Sequence, residues 1–216
     1  MARTSATTPV VGFGPAAFEF YAGLEIDNTK SYWEAHKVVY ADAIKAPLLA
    51  LLGELEPEFG TARVFRPHRD VRFSKDKSPY KEQQGAVTYV EDGVGYYLQV
   101  SADGLLIGGG WGITAPEQLT RFREAVAGPD GAELAKIVKA LGKAGFAAEG
   151  EQLKTVPRGF ASDHPRIDLL RHKSLYLVSM HEPAAWMQTP ELVTKVRTSW
   201  RKCKPAIEWL AQHLAE

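Results

Sequence analysis

Apolar positions set the first division of the chain. Between Ala16 and Leu24, Phe18 and Tyr21 lie three apart, which predicts a short helix. A second helix is expected from Ser31, where "SYWE" has the Ser-x-x-Glu form of a capping box. Its apolar face reads Trp33, His36, Tyr40, Ala43 and Ile44. Pro47 lacks the N–H that a helix interior needs, so a kink or a fresh helix start is expected there, with "PLLALLGEL" helical to about Leu55. From Ala62 the texture changes to β. "ARVF", "DVRF", "GAVTYV", "GYYLQVS" and "GLLIGGG" are strand candidates, and Asp92-Gly93 and Asp103-Gly104 are turn signals joining the last three. In "GYYLQVS", Tyr96, Leu98 and Val100 fall on one face and Tyr97, Gln99 and Ser101 on the other.

Helical spacing returns at "TAPE", a capping box at Thr114 followed by Leu119, Phe122 and Val126. Asp130 opens the next helix, with Leu134, Ile137, Val138 and Leu141. "PRGFASDHP" reads as a loop, with Asp163 as N-cap and Pro165 in the first turn of a short helix to Arg171. "SLYLVSM" is a further strand. The last helix starts at Thr189-Pro190 and carries Leu192, Val196, Trp200, Cys203, Ile207, Leu210 and Leu214, bent at Pro205. The pattern predicts an α+β fold in which an antiparallel β-meander packs against N-terminal and C-terminal helices. No repeat or linker interrupts it, so residues 15–216 are expected to form one domain, after a flexible tail over 1–14.

Composition changes this picture only locally. With 26 basic and 26 acidic residues and a pI near 7, the chain is not coated with phosphate-binding charge. A single cysteine, Cys203, excludes an internal disulfide and fits a reducing cytoplasm. No signal-peptide core and no apolar run of membrane-spanning length is seen, so no membrane partner is expected. Yet from Arg63 to Lys81 seven basic residues face only Asp70 and Asp76, a local balance of +5 against −5 for the remainder.

That segment is the main candidate site. Arg63, Arg66, Arg69, Arg72 and Lys75 recur every third residue, a period that neither a helix nor a strand turns into one flat patch. "SKDKSPY" has turn chemistry and should present Lys75, Lys77 and Lys81 from a loop. Arginine forks and lysine point charges suit phosphate or carboxylate. The plainer alternative is that Arg69 and Arg72 pair with Asp70 and Asp76 and staple the segment down. Glycines of "IGGGWGI" either admit a ligand or mark a bulged strand against another backbone; Trp111 either floors a pocket or fills the core. This run lacks the third glycine of the dinucleotide pattern, since Ile113 stands there, and no phosphate-loop motif occurs. "SKDK" alone is too loose for a penicillin-recognising enzyme. The six histidines lack ligand spacing, so no metal and no cofactor is expected. His36 reads as a structural histidine and Cys203 as an inert buried thiol.

The strings "FRPHRDVRFSKDKSPYK", "GYYLQV", "GGGW", "PRGF", "HP" and "LLRHKS" together resemble the bacterial and fungal family called domain of unknown function 2461. "NTKSYWEAHKVVY" is similar to that family's Asn-Asn-x-x-x-Trp-Phe segment, with Thr29 and Tyr32-Trp33 departing from it. The resemblance spans nearly the whole chain and implies a compact cytoplasmic domain with residues 69 to 81 as signature. It implies no activity.

Three functions fit the residues. In the first, Arg66, Arg69, Arg72, Lys75, Lys77, Lys81, Arg158 and Lys173 converge on a phosphorylated or carboxylated ligand, supported by Asp70, Asp76, Tyr80, Gly109, Gly110, Trp111 and His164. Were that pocket catalytic, Asp70, Asp76 or His164 would carry protons. The second is a partner-binding or scaffold domain with an internal ion-pair network, in which Arg72→Ala would destabilise strongly if the pair is buried. The third is nucleic-acid binding, with Tyr80, Tyr97 or Trp111 stacking on bases.

Overall fold

The structure is a computed structural model that describes residues 12–72, 75–112 and 115–215. Its strands are β1 (Arg63–Val64), β2 (Gln83–Glu91), β3 (Val94–Ser101), β4 (Gly104–Trp111), β5 (Ala147–Glu149) and β6 (Leu175–His181). They form one six-stranded antiparallel sheet in the order β1-β2-β3-β4-β6-β5. The helices are α1 (Pro15–Ile26), α2 (Lys30–Val39), α3 (Ala46–Phe59), α4 (Pro116–Ala127), α5 (Gly131–Lys143), α6 (Ile167–Leu170) and α7 (Glu191–Leu214). The α+β class is therefore as expected. Among the described residues, no helix is long and apolar enough to cross a membrane.

The chain divides into two compact units. The first comprises the described part of Met1–Ala86 with Gln99–Leu105 and His181–Arg197. Residues 1–11 of the expected tail lie outside the described residues, whereas Phe13 is fully buried. In this unit α2 begins one residue before Ser31 and is capped by Thr29, whose hydroxyl accepts the Tyr32 N–H at 3.2 Å. The Ser31 capping box is thus corrected to Thr29. At Pro47 the helix neither stops nor restarts. Residues Tyr40–Lys45 widen into a π-turn, with Ala46 N–H bonded to Ala41 C=O, and α3 runs on to Phe59. The i→i−5 spacing just before Pro47 accommodates a residue that cannot donate. The buried face carries Phe20, Tyr21, Trp33, Tyr40 and Ile44. His36 is half-buried, stacked on Tyr32 at 4.0 Å and bonded through Nδ1 to the Tyr32 carbonyl, a structural histidine.

The second unit comprises Val87–Leu98, Leu106–Met180 and the described part of Thr198–Glu216. Trp111 is fully buried in it and stacked on Phe122 at 4.9 Å. Its indole N–H donates to Gln118, whose amide donates in turn to Asp92 C=O at 2.9 Å. Of the expected α7 stripe, Trp200, Cys203, Ile207, Leu210 and Leu214 lie in this unit and Leu192 and Val196 in the first, and all are buried; each aliphatic side chain so buried contributes roughly 1.5–3 kcal/mol. Pro205 lies inside α7, and the Cys203 thiol is pushed up to about 12 by burial.

Other expectations are corrected. Asp163 caps nothing: α6 starts at Ile167, preceded by Arg166 without a side-chain cap. Strand β5 had no forecast; it pairs antiparallel with β6, Ala147 opposite Val178 and Glu149 opposite Tyr176. Asp70 to Arg72 of "DVRF" are not strand, while Phe73 and the Thr114 cap lie outside the described residues.

Candidate functional site

The cationic segment belongs to the first unit, where the backbone closes its ends together. Phe65 N–H donates to Gly85 C=O, Arg69 N–H to Pro79 C=O at 2.9 Å, and Lys81 N–H to Pro67 C=O at 2.8 Å. His68 and Tyr80 face each other across this short antiparallel bridge. Asn28 fixes Tyr80 from the far side of the sequence. Its amide donates to Tyr80 C=O at 3.0 Å and its carbonyl accepts Tyr80 N–H at 3.1 Å. The Tyr80 ring then stacks flat on Trp33 at 4.3 Å, with His68 5.1 Å from Tyr80. Gln84 completes the base: Tyr40 donates to its carbonyl at 2.6 Å, and its amide donates to Phe65 C=O at 2.7 Å.

Charges on this frame are partly cancelled. Arg72 makes a two-pronged contact with Asp70, through Nε at 2.9 Å and Nη2 at 2.6 Å, and its backbone N–H reaches the same carboxylate. Asp76 accepts from Ser78 N–H and Oγ and pairs with Arg69 Nη1 at 2.6 Å. The bond from Arg72 holds Asp70 below the usual carboxylate range; those from Ser78, then Arg69, do the same for Asp76. Both aspartates thus stay ionised at neutral pH. Lys77 Nζ donates to Val71 C=O at 2.9 Å. The Arg72–Asp70 pair lies at the surface, with 77% of the Arg72 side chain and 43% of the Asp70 side chain exposed.

Arg66, Lys75 and Lys81 make no ion pair among the described residues. Lys81 packs its ammonium over the Phe65 ring, 5.3 Å from the centroid. Its pKa is lowered, first by burial and then by the neighbouring Arg66 guanidinium. Arg66 and Lys81 are thus two adjacent cations with no ion-paired carboxylate among the described residues, although Asp70, already bonded to Arg72, feels the Arg66 charge.

The other forecast residues belong to the second unit and are not gathered at one point in it. Lys173 pairs with Glu151. His164 Nδ1 accepts Arg166 N–H at 3.1 Å, and Arg158 is exposed. A side chain at Gly110 would strike the Leu175 carbonyl, and one at Gly109 would meet Gly95 C=O and Ile207. The glycine run therefore packs against neighbouring strands and α7. Trp111 fills the core. For base stacking, Tyr80 and Trp111 are 4% and 0% exposed, so neither offers a free ring face, whereas Tyr97 is half-buried.

Sequence reasoning missed Asn28, Phe65 and His68 as parts of the site. Asn28 does open the "NTKSYW" string, but its role as a clamp depends on Tyr80, 52 positions away. Among the described residues, no group of three or more His, Cys, Asp or Glu side chains is placed to hold a metal. No curated protein and no solved structure matches the chain. One family does, over residues 16–209 of 216, and the chain accordingly belongs to the family described as conserved hypothetical protein DUF2461.

Proposed function

We propose that the cationic segment is a binding site for a small phosphorylated or carboxylated ligand, held chiefly by Arg66 and Lys81. The observation that carries this reading is the adjacency of these two cations with no carboxylate in ion-pair contact among the described residues. Lys81 is braced on Phe65 and bonded through its backbone beside Arg66. Its ammonium is partly desolvated, and an anion between the two groups would relieve both the repulsion and the lost hydration. Lys75 is exposed nearby in sequence and adds charge for approach.

Asp70 and Asp76 are ionised and occupied as acceptors, which makes them poor proton donors and favours binding over acid catalysis at this segment. A single buried cysteine is in keeping with a cytoplasmic setting. The structural reading has its own support, because the Arg72–Asp70 and Arg69–Asp76 pairs do tie the segment to itself. On our reading those pairs shape the loop and leave Arg66 and Lys81 to the ligand.

Titration calorimetry with inorganic phosphate and with citrate tests the proposal. Binding should weaken as salt rises, and Arg66→Ala and Lys81→Ala should each reduce affinity about tenfold or more, the loss of one charge-assisted contact. Equal affinity in the wild type and the double variant would refute it.

A further inference from the structure

In the second unit a cavity of about 440 Å³ opens between one face of α5 and the segment from Pro165 to His172, with Ala148 of β5 and Gln152 also lining it. Apolar walls come from Ala135 and Val138 of α5, and from Leu169 and Ala148. The polar end is built from the backbone outward. Gly150 takes φ +124, where a side chain would strike the Ser174 carbonyl. That lets residues 151–153 pair with 171–173: Leu153 N–H donates to Arg171 C=O at 2.8 Å and Lys173 N–H to Glu151 C=O at 2.6 Å. His172 is thereby held 4% exposed. Its Nδ1–H donates to Ser174 C=O at 2.9 Å, which leaves Nε2 to accept from the Gln152 amide at 3.1 Å. Burial keeps this imidazole neutral at ordinary pH by lowering its pKa.

Charge at the cavity is then simple. Arg166 commits its guanidinium to the Val126, Ala127 and Gly128 carbonyls, at 2.6, 2.8 and 2.9 Å, at the C-terminal end of α4. It offsets the negative end of that helix. Asp168 is 93% exposed and leans 3.6 Å from Arg171. Lys139 is exposed and has no ion pair among the described residues. One uncommitted cation beside an apolar trough, with a carboxylate at the rim to repel a second negative charge, fits a singly charged amphipathic molecule.

We infer that this cavity binds a small amphipathic monocarboxylate, its apolar body along Val138 and Leu169 and its carboxylate at Lys139 and the Gln152 amide. The site is separate from the cationic segment and selects differently, requiring an apolar body and a single charge.

The test is a ¹⁵N–¹H NMR titration of the full chain with hexanoate, 1-hexanol and inorganic phosphate. Hexanoate should shift signals at Val138, Ala148, Gln152 and Leu169 with a Kd of about 1 mM, as expected for eight heavy atoms in a small open site. Hexanol should bind at least about tenfold more weakly, and phosphate should leave these signals in place. Lys139→Gln, at an exposed helix position, should weaken hexanoate about tenfold. Ala148→Phe, on an exposed strand, should block it by filling the trough. The inference is overturned if hexanoate leaves these signals unmoved, if its shifts fall only on residues 66–81, if hexanol binds as tightly, or if Lys139→Gln binds hexanoate as the wild type does.

Discussion

At the scale of single residues, the difference between a charge and an available charge decides the reading. Arg72 and Arg66 carry the same group six positions apart, yet Arg72 is spent on Asp70 and Arg66 is not. An exposed pair such as Arg72–Asp70 is screened by water and contributes little to stability. Arg72→Ala should therefore leave the melting temperature within about 2 °C of the wild type. It should still lower anion affinity, because the released Asp70 carboxylate lies close enough to Arg66 for the two to interact. A scanning-calorimetry run beside the phosphate titration checks both parts. A large fall in melting temperature would mean that the pair supports the fold, and unchanged affinity would mean that Arg66 is not the ligand's partner.

At the scale of elements, legibility followed the range of the forces involved. The β2–β3–β4 meander could be read because its short apolar runs and the Asp-Gly turn signals between them are local features, even though the strands are buried on both faces for much of their length. The α7 stripe could be read for the same reason, over 24 residues of sustained spacing. "DVRF" failed as a strand at its start because Asp70 captures the Arg72 N–H and guanidinium, a local side-chain bond that competes with a ladder. Strand β5 has the composition Ala-Ala-Glu and is exposed throughout, so neither propensity nor periodicity marks it; its pairing with β6 does. Of the candidate site, the segment itself was legible as a charge excess. Its partition into spent and unspent cations was not, since that depends on which acid each arginine reaches. The clamp was also hidden: removing the Asn28 side chain would leave a buried tyrosine's N–H and C=O unpartnered, at about 1–3 kcal/mol for each group left wholly unsatisfied.

At the scale of the whole molecule, equal numbers of acids and bases mean that net charge drives neither binding nor acid unfolding near neutrality. Stability should instead respond to pH through particular groups. His172 is buried with its pKa lowered from 6.5, chiefly by burial, while the Ser174 carbonyl and Asp168 pull it partly back. The unfolded chain takes up this proton first, so the associated stability is complete above about pH 6.5 and is lost as pH falls toward the folded value. Asp70 and Asp76 have pKa values lowered from 3.8, so their smaller, solvent-screened share persists above that value and is lost only at more acid pH. Melting temperature should thus begin to fall below about pH 6.5, and His172→Gln should flatten that slope; identical slopes would exclude His172 as the cause. The central claim, that Arg66 and Lys81 await an anion, is tested most directly at Lys81 itself. Its ε-carbon NMR signal can be titrated with pH, with and without saturating inorganic phosphate. The account predicts a midpoint that rises when phosphate is present, because a bound anion favours the charged ammonium. An unchanged midpoint would contradict it.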